Sequence, residues 1–263
     1  MRCLVRGIGD VGSAVAQALQ GAGHEVAMHD IPTPTAHRRG MAFVDAMFDG
    51  RSMLAGAEAL KVTSASDVLG LWAKGRAIAV CASDFADLQA LAAWDVLVDA
   101  RMRKRARPED QRRLAGLTIG LGPGFTAGEN CHLAVETGWD NLGTVIEAGS
   151  TAPLRGEPRT ILGHARDRLI YAPCAGVFTS TRRIGEAVRQ GEIVATIGGQ
   201  ALEAPLSGIL RGLTRSGVPV EAGTKVVEID PRGDPASAFG LGERPRRIAE
   251  AVLRILSHPP RRN

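Results

Sequence analysis

The chain has 263 residues, of which 44% are hydrophobic, 23% charged and 4% aromatic, with a formal net charge of +4; this leaves room for two domains with aliphatic cores. No run approaches the roughly 20 apolar residues of a membrane-spanning helix, and Met1-Arg2 leads directly into a strand-like run, so the expectation is a cytoplasmic protein with no membrane partner. Cys3, Cys81, Cys131 and Cys174 are scattered without a C-x-x-C pair, as in reduced thiols, and the arginine-rich patches (101–113, 261–262) lack the aromatic platform or reading motif of a nucleic-acid binder.

Residues 1–30 read as strand, glycine loop, helix, strand and acidic cap. Cys3, Leu4 and Val5 precede Gly7-Ile8-Gly9-Asp10-Val11-Gly12, whose glycines follow the G-x-G-x-x-G spacing. Val11, Val15, Ala18, Leu19 and Ala22 share one helical face, and Gly21 and Gly23 can end that helix. A second apolar run ends in His29-Asp30. Such a loop gives a tight turn, close backbone approach to a phosphate and a free helix N-terminus, and a carboxylate about twenty residues on can hold a ribose hydroxyl. Gly7, Gly9, Asp10, Gly12 and Asp30 are therefore candidate nucleotide-binding residues.

Two prolines make 31–35 a loop. A helix is expected from near Ala36, with Met41, Val44 and Phe48 inward and His37-Arg38-Arg39 in its first turn. Arginines oppose the helix dipole there, so either a bound anion or simple exposure must account for them. Further strands are expected over 77–82, 96–98 and 117–121, with Ser83-Asp84 capping the helix that contains Phe85, Leu88 and Leu91. In a doubly wound parallel sheet the loops after these strands meet at one carboxyl edge. Asp99, Arg101, Gly122 and Gly124 thus join the candidates, the last two in a second backbone cradle for an anion. Glu129-Asn130-Cys131-His132 match no metal-site spacing; Cys131 and His132 are either structural or the candidates for catalysis, and a partly exposed Cys131 thiolate could handle sulfur or metal.

The second half repeats itself at an offset of 32 positions. Ala172-Pro173 matches Ala204-Pro205, Gly176 matches Gly208, Arg183 matches Arg215, Gly191 matches Gly223, Val194 matches Val226 and Ile197 matches Ile229. Each half resembles one half of a biotinyl/lipoyl-type barrel-sandwich hybrid. The hairpin that carries the modified lysine in carrier proteins reads Ile197-Gly198-Gly199-Gln200-Ala201-Leu202-Glu203 here and has no lysine, which excludes a carrier role and leaves covering the first domain, docking a partner or forming a homo-oligomer. A final helix carries Ile248, Ala251, Val252, Ile255 and Leu256 on one side.

The expected fold is thus α/β: a Rossmann-like doubly wound parallel sheet (1–125), a β-rich connector (126–167), a barrel-sandwich hybrid of two 32-residue repeats (168–231), and a turn-rich connector with a C-terminal helix (232–263). The order of motifs is similar to the YqeB-type accessory proteins of the selenium-dependent molybdenum hydroxylase system. The resemblance rests on Val5-Arg6-Gly7-Ile8-Gly9-Asp10, Ala36-His37-Arg38-Arg39, Asp99-Ala100-Arg101-Met102, Gly122-Pro123-Gly124-Phe125 with Gly128-Glu129-Asn130-Cys131, Asn141-Leu142-Gly143 and Asp230-Pro231-Arg232-Gly233-Asp234-Pro235. It implies an accessory protein that binds a nucleotide or nucleotide-bearing pterin, NAD or a molybdopterin nucleotide, and helps mature or deliver the cofactor of a molybdenum hydroxylase partner. It does not by itself imply catalysis. The alternative is an NAD(P)-dependent oxidoreductase.

Overall fold

The computed structural model describes residues 1–75, 77–103, 106–153 and 158–258. In chain order the first unit holds β1 (Arg2–Arg6), α1 (Asp10–Gly21), β2 (Glu25–His29), α2 (Ala46–Asp49), β3 (Arg51–Leu54), β4 (Ala57–Val62), α3 (Ala65–Lys74), β5 (Ile78–Cys81), α4 (Phe85–Ala90), β6 (Val96–Asp99) and β7 (Leu117–Leu121). Short strands β8 (Thr126–Ala127), β9 (Leu133–Val135), β10 (Val145–Ile146) and β11 (Gly149–Ser150) follow. The second unit comprises β12 (Leu169–Tyr171), β13 (Gly176–Thr179), β14 (Ala187–Val188), β15 (Ile193–Ile197), β16 (Gln200–Glu203), β17 (Gly208–Leu213), β18 (Pro219–Val220), β19 (Lys225–Asp230) and α5 (Glu243–Ser257).

The fold expectation is corrected on topology. In place of a doubly wound parallel sheet confined to 1–125, the chain builds one nine-stranded mixed sheet in the order β10-β9-β7-β6-β1-β2-β5-β4-β3. The hairpin β3–β4 and the pair β9–β10 are antiparallel, and both edge strands come from these pairs. β9 and β10 lie in what the sequence suggested was a separate connector. They join the sheet because Leu133, Ala134 and Val135 are a buried apolar run that pairs in parallel with β7.

The second unit does not form the expected biotinyl/lipoyl-type barrel-sandwich hybrid either. It forms two four-stranded antiparallel sheets, β12-β19-β17-β14 and β16-β15-β13-β18. The 32-residue offset carries β13 onto β17, β14 onto β18 and β15 onto β19. One of the sheets is built against the first unit: His37 lies over Gly212 so closely that a Cβ there would meet its ring at 2.5 Å, and Leu213 N–H donates to the His37 carbonyl at 2.7 Å. The end of the loop after β2 is thus laid across β17.

Both faces of the mixed sheet are covered. Val5, Met28, Val80 and Val98 face α1 and α5, while Leu4, Ala27, Cys81 and Leu97 face Val68 and Trp72 of α3 and Leu88 of α4. α5 buries Ile248, Ala251, Val252 and Ile255 against α1, so the last helix closes the first unit's core. At about 25 cal/mol per Å2 of apolar surface, each such aliphatic side chain contributes about 1.5–3 kcal/mol. No helix among the described residues is long and apolar enough to cross a membrane.

The helix expected from Ala36 does not form. A 3-10 turn at Arg39–Met41 and the four-residue α2 replace it. Met41 and Val44 are buried as expected, but so are Ala42, Phe43, Ala46 and Met47, and a run apolar on every side is wedged between the units instead of lying on one helical stripe.

Candidate functional site

β1, the glycine loop and α1 form as the local pattern dictates. α1 begins at Asp10, and its N-cap Gly9 has extended backbone. A Cβ on Gly12 would stand 2.0 Å from the Gly7 carbonyl oxygen, and one on Gly7 2.8 Å from the Ala100 carbonyl, so both positions require glycine for packing. Gly9 differs: nothing lies within 4 Å of where its Cβ would point. It is the glycine that leaves backbone open to a ligand.

Asp30, at the end of β2, accepts from Ile8 N–H at 2.8 Å with one carboxylate oxygen and from Ile31 N–H at 2.8 Å with the other. The acidic cap is therefore locked to the glycine loop. The Asp10 carboxylate is shared between the helix start and Arg38: one oxygen accepts from Val11 N–H at 3.0 Å and the other from Arg38 Nη1 at 2.8 Å. Burial opposes ionisation of Asp10, and the Arg38 charge outweighs it, holding the carboxyl below its ordinary value.

The loops after the strands do meet along one edge. Gly7 packs on Ala100 and Arg101, His29 Nε2 shares a hydrogen bond with the Ser83 carbonyl at 2.9 Å, and Met102 lies against Gly122. Asp99 receives Arg101 Nε at 3.0 Å and Gln111 Nε2 at 2.7 Å. Gly122 and Gly124 are both left-handed, at φ +88, but their carbonyls are taken by Thr151 Oγ1 (2.7 Å) and Asn130 Nδ2 (3.0 Å). Their loop is braced by the chain itself.

Cys131 and His132 do not face this edge as reactive groups. Cys131 is buried, and burial pushes its thiol up to about 11, so it keeps its proton at neutral pH. This corrects the partly exposed thiolate inferred from sequence. His132 Nδ1 accepts from Thr118 N–H at 3.0 Å, and the His132 backbone N–H donates to the Thr118 carbonyl at 3.0 Å, which ties it to β7. Among the described residues no group of three or more His, Cys, Asp or Glu side chains could hold a metal ion.

Sequence reasoning missed two clusters. The first surrounds Glu228 on β19, whose side chain is wholly buried. Arg38 reaches it through Nε (2.7 Å) and Nη2 (3.1 Å), His37 Nε2 lies 3.3 Å away, and Arg168 donates from the other side. Burial of Glu228 works against its charge, yet Arg38 and His37 hold the carboxyl well below its usual range, while burial pushes the His37 pKa down. The anion that rationalises His37-Arg38-Arg39 is thus the protein's own: Glu228 and Asp10 for Arg38, Asp45 for Arg39 at 2.7 Å. Partners 190 residues apart left no local signal. Arg244 at the start of α5 belongs here too, with Nε on the Thr137 carbonyl at 2.7 Å and its charge within range of Asp10 and Arg38.

In the second cluster the candidate Arg101 is joined by the missed Arg6 and Arg103 around Glu109, at 2.8, 2.6 and 2.6 Å respectively. Arg6 sits at the last position of β1, where the alternation of an apolar strand gave no reason to expect a buried guanidinium stacked 3.9 Å over Phe85.

No protein-family model matches the chain. Among solved structures it is similar to a succinylglutamate desuccinylase/aspartoacylase from Rhodobacter sphaeroides (19% identity, 56% of this chain and 60% of that one, TM-score 0.23). It is also similar to a succinylglutamate desuccinylase from Silicibacter sp. TM1040 (14%, 87% and 84%, TM-score 0.26) and to the apo ectoine utilization protein EutE (DoeB) from Ruegeria pomeroyi (12%, 88% and 86%, TM-score 0.28). Superpositions that loose carry no argument about this chain. Among curated proteins it is 36% identical over 257 residues to the uncharacterized protein YqeB of Escherichia coli (strain K12), a match covering 96% of this chain and 47% of YqeB. The chain spans about half the length of that relative, and the similarity runs over nearly the whole of this chain.

Proposed function

We propose that the chain is an accessory protein that binds a nucleotide or a nucleotide-bearing pterin at the carboxyl edge of the mixed sheet, in the service of maturing or delivering the cofactor of a molybdenum hydroxylase. The observation that carries the ligand is the open Gly9 end of α1, with Asp30 locked beside it through Ile8 N–H. A phosphate there meets the positive end of the helix dipole and the N–H groups of the first turn, among which Val11 N–H is held by the Asp10 carboxylate at 3.0 Å. The Asp30 carboxylate uses one lone pair per oxygen on backbone, which leaves acceptor capacity for a ribose diol.

The molybdenum part of the reading rests on the sequence resemblance. A nucleotide-bearing pterin would bring its metal on its own ligand, so the protein's side chains are asked only to hold phosphate and sugar. Calorimetric titration with NAD, NADP, ATP and CTP, with elemental analysis of the freshly purified protein, tests this reading. Binding of at least one nucleotide or co-purified molybdenum supports it, and the lack of both refutes it.

One observation favours the second reading, an NAD-dependent oxidoreductase. A carboxylate at the end of β2 suits the free 2′-hydroxyl of NAD. Hydride transfer to a carbonyl also needs a proton donor at the substrate oxygen, and His132 is tied to β7. Titration of NADH fluorescence and a screen for substrate-dependent oxidation separate the two.

A further inference from the structure

We propose that Arg6, Arg101 and Arg103 form an anion cradle beside the glycine loop, that it takes a phosphate of the incoming ligand, and that Glu109 is its built-in occupant, displaced on binding. The proposal rests on the reading of this edge as a ligand site and adds to it the group that competes with the ligand.

The Glu109 carboxylate stands where a phosphate would. Oε1 accepts from Arg6 Nη1 at 2.6 Å and Arg101 Nη2 at 2.8 Å, and Oε2 accepts from Arg103 Nη2 at 2.6 Å. Three guanidiniums converge on one carboxylate, an arrangement that planar arginine forks make equally well with phosphate oxygens. Partial burial works against Glu109's charge, and its arginine hydrogen bonds outweigh that, holding the carboxyl well below the usual range. The occupant is an anion at every working pH.

Arg6 and Arg101 are held without Glu109. Arg6 is only 9% exposed in its side chain, is stacked on Phe85, and is bonded by Gln111 Oε1 at 3.2 Å. Arg101 is clamped by Asp99, and Gln111 ties Asp99 to the same frame. Arg6 also keeps a buried Nε with no partner. Glu109, in contrast, is 45% exposed, so it can swing into water at little desolvation cost. Charge completes the case: three arginines face the two carboxylates of Asp99 and Glu109, and with Glu109 gone the excess of two positive charges matches a phosphate dianion. The site adjoins the glycine loop, because the Gly7 backbone packs directly on Ala100 and Arg101.

The test is calorimetric titration of the full chain with inorganic pyrophosphate and with ATP, for the wild type, Glu109→Ala, Glu109→Gln and Glu109→Ala with Arg103→Gln. Removing the occupant is expected to tighten pyrophosphate binding by about tenfold or more, with Glu109→Gln close behind, and Arg103→Gln is expected to reverse most of that gain. Equal or weaker pyrophosphate binding by both Glu109 variants, at unchanged melting temperature, overturns the proposal. Gly9→Val separates the two readings, since it blocks the helix end and leaves the arginines alone. Nucleotide binding lost in Gly9→Val but indifferent to Glu109 leaves the nucleotide reading and refutes the cradle. Pyrophosphate binding that responds to Glu109, with no nucleotide bound by any variant, leaves the cradle and refutes the nucleotide reading.

Discussion

Glu228→Gln is the perturbation that reports most directly on how the two units are joined. It keeps the side chain's shape and removes its charge. The wild-type carboxylate is wholly buried and serves Arg38 twice, Arg168 and His37. Arg211 adds an ion pair at 3.8 Å. Neutralising it leaves the nearly buried Arg168 without its counter-ion and Arg38 with only Asp10. Removing one partner of a buried ion pair costs about 3–5 kcal/mol, because the remaining charge is stranded, a large share of a total stability of about 5–15 kcal/mol. Urea denaturation followed by circular dichroism at pH 7.5 reads it as a lower midpoint.

The pH dependence carries the same signature. A carboxyl held below its unfolded value of about 4.3 stabilises fully above that pH and loses the contribution as pH falls through the folded value. The gap between wild type and Glu228→Gln should therefore be widest at neutral pH and close in acid. A loss below about 1 kcal/mol, or a gap that does not close in acid, refutes the idea that this carboxylate anchors the interface.

Other expectations follow from single contacts. With Glu228→Gln in place, Arg38→Met should cost less than it does in the wild type, a non-additivity of about 0.5–3 kcal/mol in a double-mutant cycle; strict additivity contradicts the shared network. His37, whose pKa burial pushes down, binds its proton more readily unfolded, so wild-type stability should fall as pH drops below about 6.5 and His37→Gln should flatten that slope. Native thiol titration at pH 7.5 should find one fast cysteine, the half-buried Cys174, because Cys3 is pushed up to about 12 and Cys131 to about 11 and Cys81 is buried; fast labelling of Cys131 would overturn the account of its burial.

The parts of the fold that could be read from the chain are those whose cause is local. Strand, glycine loop, helix and strand over residues 1–30 appear as β1, α1 and β2 because turn chemistry and periodicity act within a few residues. The offset of 32 positions is visible for the same reason, since it compares like with like. What failed depended on distant partners. Nothing near Leu133 says that its strand will be added to β7, or that α5 will pack on α1 instead of on the sheets that precede it. The hairpin β3–β4 lies in a stretch of mixed composition.

The candidate site divides the same way. The glycines and Asp30 were legible from spacing and lie together, while Arg6 and Glu109, more than 100 residues apart, become neighbours only when β1 and β6 pair. For the arginines at 38 and 39 the sequence left a bound anion and simple exposure open; they are instead paired within the chain, with Glu228, Asp10 and Asp45.

The central claim is that the Gly9 end of α1 holds the phosphate of a nucleotide-type ligand. Its most direct test is calorimetric titration of NAD, NADP, ATP and CTP into the wild type and into Gly9→Val. The Gly9 backbone, at φ −66 and ψ −178, accepts valine without strain, and its Cβ meets no protein atom. The expected result is that the wild type binds at least one of these nucleotides and that Gly9→Val, folded and with a similar melting temperature, binds it about tenfold or more weakly. Equal affinity in the two proteins, or no binding by the wild type, contradicts the claim.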